Sequence, residues 1–269
     1  MKLFADYSGA GVTMADDPAL RRTLSHVVKE YQPGCCLETG THKGTGSTRI
    51  LAEIFADHPP EEFVTIEADW HSWRAARDNL EKFRFVRCLW GKTVPVAEAL
   101  NFMQHDEAII NHENYKDVFI DDVNDPLSFY SRECRGEYTA AEPVRTLQYY
   151  RDKALYYRGE GLLKKQLKKF RKNNPLIVLD SAGGIGLLEF DHVMQVMENH
   201  PFVLLLDDVH HLKHFRSLAR IQRDKRFHVV DVNVESGWAL AVYDPAATVK
   251  TQPDPVIQEN PLVTAGGDH

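Results

Sequence analysis

The chain has 269 residues, 43% of them hydrophobic, and a formal net charge of −7. This length can bury a sizeable core, and this composition is that of an ordinary globular protein. It excludes a disordered chain and argues against bulk nucleic-acid binding. Because no window has the length of a membrane span and the N-terminus lacks a signal-peptide pattern, we predict a cytoplasmic protein without a membrane span.

Strand-like and helical segments alternate in the first part of the chain. A helix is predicted to begin after Asp17 and to end before Pro33 and Gly34. Strand-like segments, separated by helical patterns, then follow: CCLE (35–38), FVTIE (63–67) and FRFVRCLW (83–90). This alternation predicts a parallel sheet with helices on both faces.

The same alternation resumes late in the chain. LIVLD (176–180) and FVLLLDD (202–208) are separated by a helical pattern. FHVVDV (227–232) and WALAVYD (238–244) are joined by a short turn that contains Gly237, so they are predicted to form an antiparallel hairpin. We therefore predict an α/β fold with a Rossmann-like, doubly wound sheet of seven strands, the last of them antiparallel.

The alternation stops between residues 93 and 174, and we interpret this segment as a mainly helical insertion. The core would then comprise residues 1–92 and 175–245, and residues 246–269 would form a loosely ordered tail. The insertion is predicted either to cover an acceptor site or to form a dimer contact, and the sequence does not choose between these roles.

The insertion contains DDVND (121–125), which matches a magnesium-diphosphate motif of all-helical prenyl-transfer enzymes. The predicted fold is not all-helical. We therefore expect Asp125 to cap a helix that begins at Pro126, with Asp121 and Asp122 solvated. A contact between this segment and a substrate remains an alternative.

A glycine-rich loop, LETGTHKGTGST (37–48), joins the first strand to the next helix. A phosphate-binding loop would need a glycine five residues before Lys43, where Glu38 stands instead. The glycine spacing also differs from that of a dinucleotide-binding fingerprint. An acid at the end of a strand would repel a pyrophosphate but suits an amine-bearing ligand.

The loop resembles motif I of class I S-adenosylmethionine-dependent methyltransferases, especially those that methylate oxygen atoms of small molecules. In that family an acid that ends the second strand binds the ribose hydroxyls, and Glu67 stands at this place. The resemblance further implies that the loop holds the methionine portion and that the end of the third strand lies near the adenine. The cofactor-binding residues predicted in this way are Glu38, Thr39, Gly40, Thr41, Gly44, Ser47, Glu67 and Trp90.

Acids also end the fourth and fifth predicted strands: Asp180, and the pair Asp207 and Asp208. Parallel strands open onto one edge of a sheet, so we expect these carboxylates to converge there, where they would suit Mg²⁺. The pattern resembles metal-dependent O-methyltransferases of the catechol and antibiotic-sugar types and cephalosporin-hydroxylase-like proteins. The resemblance implies a Mg²⁺ ion that chelates acceptor oxygens and lowers the pKa of a hydroxyl group.

The general base is not assigned by this resemblance. Catechol-type enzymes carry a lysine three residues after the strand-four acid, where this chain has Gly183. We therefore predict His210 and His211 as catalytic residues together with Asp180, because a histidine near its ordinary pKa can accept a proton. The alternative is that these histidines cap the next helix or lie on its surface.

The sequence thus predicts an enzyme that transfers a methyl group from S-adenosylmethionine to a hydroxyl of a small metabolite. We expect a small-molecule acceptor and no nucleic-acid partner, and a homo-oligomer is compatible with the insertion. Two alternatives stay open, because a fold does not fix a reaction. One is a hydroxylase-like or other non-methylating enzyme on the same fold, and the other is a non-catalytic binding protein.

Overall fold

The computed structural model describes residues 17–136, 143–181 and 183–247. These residues form one seven-stranded sheet with helices on both faces. The strands are β1 Cys35–Thr39, β2 Glu62–Glu67, β3 Val86–Trp90, β4 Leu176–Leu179, β5 Phe202–Leu206, β6 Phe227–Asn233 and β7 Trp238–Tyr243. Their order across the sheet is β3-β2-β1-β4-β5-β7-β6. Only the pairs made by β7 are antiparallel, so the predicted doubly wound fold with an antiparallel last strand is confirmed.

The helices have the following bounds: α1 Pro18–Tyr31, α2 Ser47–Ile54, α3 Trp70–Asn79, α4 Val96–His105, α5 Glu107–Ile110, α6 Pro126–Arg135, α7 Pro143–Tyr156, α8 Leu162–Phe170, α9 Gly186–Met197 and α10 Phe215–Arg223. Asp17 caps α1 through hydrogen bonds from Ala19 and Leu20, as its place before Pro18 predicts. No helix in the described part of the chain is long and apolar enough to cross a membrane.

The two faces of the sheet bury separate apolar clusters, which explains why the central strands are almost entirely apolar. Helices α1, α2 and α3 cover one face, and α8, α9 and α10 cover the other. Strand order reverses between β1 and β4, which lie side by side in the middle of the sheet. In doubly wound sheets ligands bind at such a reversal, in the crevice beyond the carboxyl ends of the strands.

Helix α8 packs directly on the sheet, although it falls inside the predicted insertion. Its residues Leu162, Leu163, Leu167 and Phe170 are at most 1% exposed and belong to the main apolar cluster. The spacing of Leu163, Leu167 and Phe170 along one helix face predicts this packing, and the lysines lie between the buried positions. We therefore place the end of the insertion before Leu162, rather than at residue 174.

The remaining insertion builds a cover over the carboxyl edge of the sheet. Helices α4, α5 and α6 share an apolar cluster with Leu188 of α9 and Leu212. Asp125 caps α6, which begins at Pro126 as predicted. Asp121 is exposed, as predicted, and its carboxylate also lies 3.1 Å from Nε2 of His211. The predicted tail lies outside the described residues from residue 248 onward.

Candidate functional site

A cavity of about 550 Å³ lies at the carboxyl ends of the central strands, under the cover. Its walls come from the glycine-rich loop, the ends of β2, β4 and β5, and helices α4 and α6. The polar residues in these walls include Thr41, His42, Ser47, Glu67, Lys92, Glu133, Asp180, Asp207 and Asp208. The topology thus brings residues that are far apart in sequence to one site, at the place expected for this type of sheet.

Gly40 allows β1 and β4 to approach each other at the site. Its φ is +81°, and a Cβ built on it would lie 1.9 Å from the carbonyl oxygen of Asp180. Its N–H donates to the carbonyl oxygen of Ile66 at 3.0 Å, so the loop is also fixed to β2. Gly44 has a different role: it packs against Leu80 and is not among the residues that line the cavity.

Glu38 does not line the cavity, contrary to the expected contact with the cofactor. Its carboxylate is fully buried and accepts hydrogen bonds from the hydroxyls of Ser47 at 2.7 Å, Thr48 at 2.6 Å and Thr65 at 2.7 Å. Burial raises the pKa of this carboxyl, while the hydroxyl donors oppose the shift. Glu38 therefore anchors the loop and the first turn of α2, and Ser47 reaches the cavity from that anchor.

Thr39 likewise supports the site from behind. Its side chain is buried and donates to Glu189 at 3.0 Å, and its carbonyl oxygen accepts from the N–H of Asp180 at 3.2 Å. Of the predicted loop residues, Gly40, Thr41 and Ser47 line the cavity.

Glu67 lies in the cavity wall at the end of β2, where the sequence predicts it. Its two carboxylate oxygens accept the N–H groups of His42 at 2.6 Å and Asp69 at 2.7 Å. A carboxylate has about four acceptor positions, so capacity remains for hydroxyl donors from a ligand. Burial raises the pKa of Glu67 to about 7.

Trp90 is not in the cavity wall, so the predicted contact with adenine has no support in the structure. Its ring stacks on Trp73 with a centroid distance of 5.4 Å, and its Nε1 donates to the carbonyl oxygen of Ala68 at 3.1 Å. Tyr149 and Tyr157 pack against the same ring. The indole belongs to an aromatic cluster between β3 and α7, which shields it from the cavity.

Asp180, Asp207 and Asp208 converge at the carboxyl edge of the sheet, as their strand-end positions predict. Each offers an oxygen within 4.8 Å of the others. Lys213, which no sequence motif marked, has its Nζ among them: 3.1 Å from Asp180, 3.7 Å from Asp207 and 2.8 Å from Asp208. Lys213 is 5% exposed, so the ammonium group is largely withdrawn from water.

The cluster has an uneven charge distribution. Burial, and then the neighbouring Asp180, raise the pKa of Asp207 well above its ordinary value, which favours a protonated Asp207. Burial also acts on Asp208, but Lys213 outweighs it and lowers the pKa of that carboxyl. Burial opposes protonation of Lys213, yet the surrounding carboxylates raise its pKa. Burial also raises the pKa of Asp180, an effect that Lys213 opposes, so the cluster is best described as an ammonium group held among three acidic side chains.

These residues do not fit a divalent metal in the arrangement that the structure shows. Three carboxylates are suitable ligands for Mg²⁺, but the ammonium group of Lys213 already lies within ion-pair distance of all three. A divalent ion about 4 Å from that ammonium would be repelled by roughly 8 kcal/mol at an effective dielectric constant of about 20. The Mg²⁺ site that the resemblance implies is thus not supported by the geometry.

The ring of His211 has both nitrogens in hydrogen bonds. Nε2 lies 3.1 Å from Asp121, and Nδ1 accepts the N–H of Lys213 at 3.1 Å. A proton acceptor needs a free lone pair, so this arrangement argues against His211 as the general base. His210 lies beside Gly237, and burial lowers its pKa. Both histidines line a smaller cavity of about 310 Å³, which lies beside the first.

Glu133 of α6 lines both cavities, together with Asp180, Ser181 and Asp208. Burial, and then the negative charge of Asp121, raise its pKa to about 7. A carboxylate with this pKa suits proton transfer near neutral pH. No motif marked this residue in the sequence, because its position depends on how the cover packs on the sheet.

Solved methyltransferases are similar to this chain. The O-methyltransferase from Bacillus cereus in complex with S-adenosylhomocysteine is 16% identical, with 85% of this chain and 82% of that chain covered and a TM-score of 0.42. TomG, an O-methyltransferase of tomaymycin synthesis from Streptomyces achromogenes bound to S-adenosylmethionine, is 13% identical, with 86% of this chain and 82% of that chain covered and a TM-score of 0.44. A methyltransferase from Podospora anserina bound to S-adenosylhomocysteine is 13% identical, with 86% of this chain and 80% of that chain covered and a TM-score of 0.45. No protein-family model and no curated protein matches the chain.

Proposed function

We propose that the protein transfers the methyl group of S-adenosylmethionine to a hydroxyl oxygen of a small metabolite. The observation that carries this proposal is Glu67, a buried acid in the cavity wall beside the loop that resembles motif I. Other acids, Asp180, Asp207 and Asp208, line the same cavity. Such a wall suits a ligand with sulfonium and ammonium groups and disfavours a phosphate.

The residues of the cavity divide between two tasks in this proposal. Glu67 accepts hydrogen bonds from ribose hydroxyls, while Gly40, Thr41 and Ser47 lie against the methionine portion. The acceptor occupies the part that is lined by the cover, where Val94, Val96, Ala99, Tyr130 and Glu133 supply the walls. This division agrees with the general pattern in which a mostly apolar pocket contains a few polar groups that set orientation.

The reaction depends mainly on positioning. When bound, S-adenosylmethionine supplies a methyl group whose bond to sulfur breaks as the acceptor oxygen attacks it, which leaves neutral S-adenosylhomocysteine. The cavity holds the acceptor oxygen in line with that bond, and such alignment supplies much of the rate enhancement. Glu133 takes the proton of the acceptor hydroxyl at its carboxylate, with His210 as the second candidate. No step in this proposal requires Mg²⁺, because Lys213 supplies the positive charge among the carboxylates.

Calorimetric titration of S-adenosylmethionine in the absence of divalent metal tests the proposal. At about pH 8, where Glu67 is mostly ionised, we expect binding by the unmodified protein and a loss of at least about tenfold in affinity for Glu67→Gln, because hydrogen bonds to a charged group contribute roughly 1.5–3 kcal/mol. Glu81→Gln, an exposed acid outside the cavity, is the matched control and should bind normally. Failure of the unmodified protein to bind would overturn the proposal.

A screen of hydroxylated metabolites for release of S-adenosylhomocysteine then tests the reaction itself. Binding of S-adenosylmethionine without release from any acceptor would favour the alternatives, a non-methylating enzyme on this fold or a binding protein. A cytoplasmic location and a homo-oligomeric state remain predictions from the sequence.

A further inference from the structure

We propose that Lys213 is a built-in replacement for a divalent metal, so that the Asp180, Asp207 and Asp208 cluster holds an ammonium group and binds no Mg²⁺. This inference concerns the site of the proposed function, but it stands on the geometry of the cluster alone. It explains how several carboxylates can lie together at a sheet edge without a metal.

The contacts of Lys213 are those of a cation in a prepared site. Its Nζ lies within 3.1 Å of oxygens of both Asp180 and Asp208, and 3.7 Å from Asp207. An ammonium group has three N–H donors and no acceptor, and acidic side chains lie around it within ion-pair distance. A buried charge persists only when partners of this kind compensate for its lost hydration.

The backbone holds Lys213 in this place from several directions. On one side of it, Val209 donates its N–H to the carbonyl oxygen of Gly237 at 2.8 Å. Phe119 of the cover donates to the carbonyl oxygen of His210 at 3.0 Å and accepts from the N–H of Leu212 at 2.9 Å. The segment that carries the lysine is therefore tied both to the sheet and to the cover.

Gly186 provides the space for this segment. A Cβ built on Gly186 would lie 2.6 Å from the Cβ of Lys213 and 2.5 Å from its carbonyl oxygen. The first residue of α9 therefore has to be very small if the lysine is to reach the acids. The close approach, the backbone ties and the ion pairs together indicate a preformed arrangement rather than a surface lysine that happens to lie nearby.

Titration with Mn²⁺, followed by electron paramagnetic resonance of the free ion, tests this inference. The unmodified protein should bind Mn²⁺ no tighter than about 1 mM at this cluster. Lys213→Met keeps the apolar stem but removes the charge, so the freed carboxylates should bind Mn²⁺ at least about tenfold tighter. Lys168→Met, which removes a charge from the exposed face of α8, is the matched control and should not gain a site.

The gain should disappear in the double variant Lys213→Met with Asp208→Asn, because one of the three carboxylates is then missing. A folded Lys213→Met variant that gains no Mn²⁺ affinity would overturn the inference. So would tight Mn²⁺ binding by the unmodified protein that is lost in Asp208→Asn.

Removing one partner of a buried ion pair often destabilises a protein strongly, so Lys213→Met needs a companion measurement. The melting temperature of the unmodified protein should not change on addition of about 10 mM Mg²⁺, because a ligand stabilises only a state that it binds. A rise that Asp208→Asn abolishes would contradict the inference even if the lysine variant does not fold. Titration of S-adenosylmethionine tests the proposed function separately, because it needs no metal and no lysine variant.

Discussion

Glu133 is the residue whose titration should control the reaction. Its pKa of about 7 means that the carboxylate form, which is able to accept a proton, increases as the pH rises from 6 to 8. We therefore expect kcat/KM for the acceptor, at saturating S-adenosylmethionine, to increase with pH and to level off above about pH 8. Glu133→Gln should lower kcat by about a hundredfold and remove this pH dependence, with little change in the affinity for S-adenosylmethionine.

Glu113→Gln is the matched control for that experiment, because Glu113 is an exposed acid of the same cover. Its pH profile should equal that of the unmodified enzyme. A pH dependence that persists in Glu133→Gln would instead assign the proton transfer to another group, for which His210 is the next candidate.

The sequence predicts the acids that end the parallel strands at the site, but not Lys213 and Glu133, for a physical reason. Glu67, Asp180 and Asp207 are predictable because parallel strands end at a common edge, which fixes where their last residues lie. Lys213 and Glu133 reach the site only through the path of a loop and the packing of a helix. Residue spacing along the chain predicts neither the path of that loop nor the packing of that helix. The hydroxyl partners of Glu38 are unpredictable for a related reason, since they come from both α2 and β2.

At the scale of elements, the close approach of β1 and β4 depends on Gly40. A side chain at this position would meet the backbone of Asp180 at 1.9 Å, and its φ of +81° is unfavourable for other residues. Gly40→Ala should therefore separate the ends of the two strands, destabilise the protein by about 3 kcal/mol and prevent binding of S-adenosylmethionine. Urea denaturation and the calorimetric titration measure these two effects.

Gly46 offers a matched control in the same loop. A Cβ built on Gly46 meets no atom within 4 Å, although its ψ of −129° and its position as the N-cap of α2 favour glycine. Gly46→Ala should therefore lower the free energy of unfolding by only about 1 kcal/mol, clearly less than Gly40→Ala. An equal loss of stability in both variants would show that the loop, and not the approach of the strands, limits substitution.

Helix α8 shows where sequence interpretation fails for whole elements. The predicted core pauses at residue 92 because the alternation of strand and helix patterns stops there. In the structure α4, α5, α6 and α7 intervene first, and α8 then serves as the crossover helix that packs beside β1 and α9. The insertion in this chain therefore precedes the crossover helix and does not replace it. The helical spacing of Leu163, Leu167 and Phe170 is the sequence pattern that indicates a buried face on α8.

For the whole molecule, the buried acids set the pH dependence of stability. Glu67 and Glu133 have pKa values of about 7 in the folded state because burial raises them, against an ordinary value of 4.5. The folded protein therefore binds more protons than the unfolded chain between these values, so its stability falls as the pH rises. Buried histidines have a lowered pKa in the folded state, so they make stability rise with pH, but only below about pH 6.5. Above that pH they are mostly neutral in both the folded and the unfolded protein. These histidines are His192, His210 and His214.

Above pH 6.5, then, Glu67 and Glu133 both release protons from the folded state. Between pH 6.5 and 8 we expect the free energy of unfolding, without ligand, to decrease by about 1 kcal/mol from Glu67 and by less from the more exposed Glu133. The corresponding fall in melting temperature is a few degrees, roughly 2–4 °C per kcal/mol for a chain of this size. Glu67→Gln has no such proton to release, so its melting temperature should depend less on pH in this range. A melting temperature that rises between pH 6.5 and 8 would contradict the assignment of these two acids as protonated in the folded state.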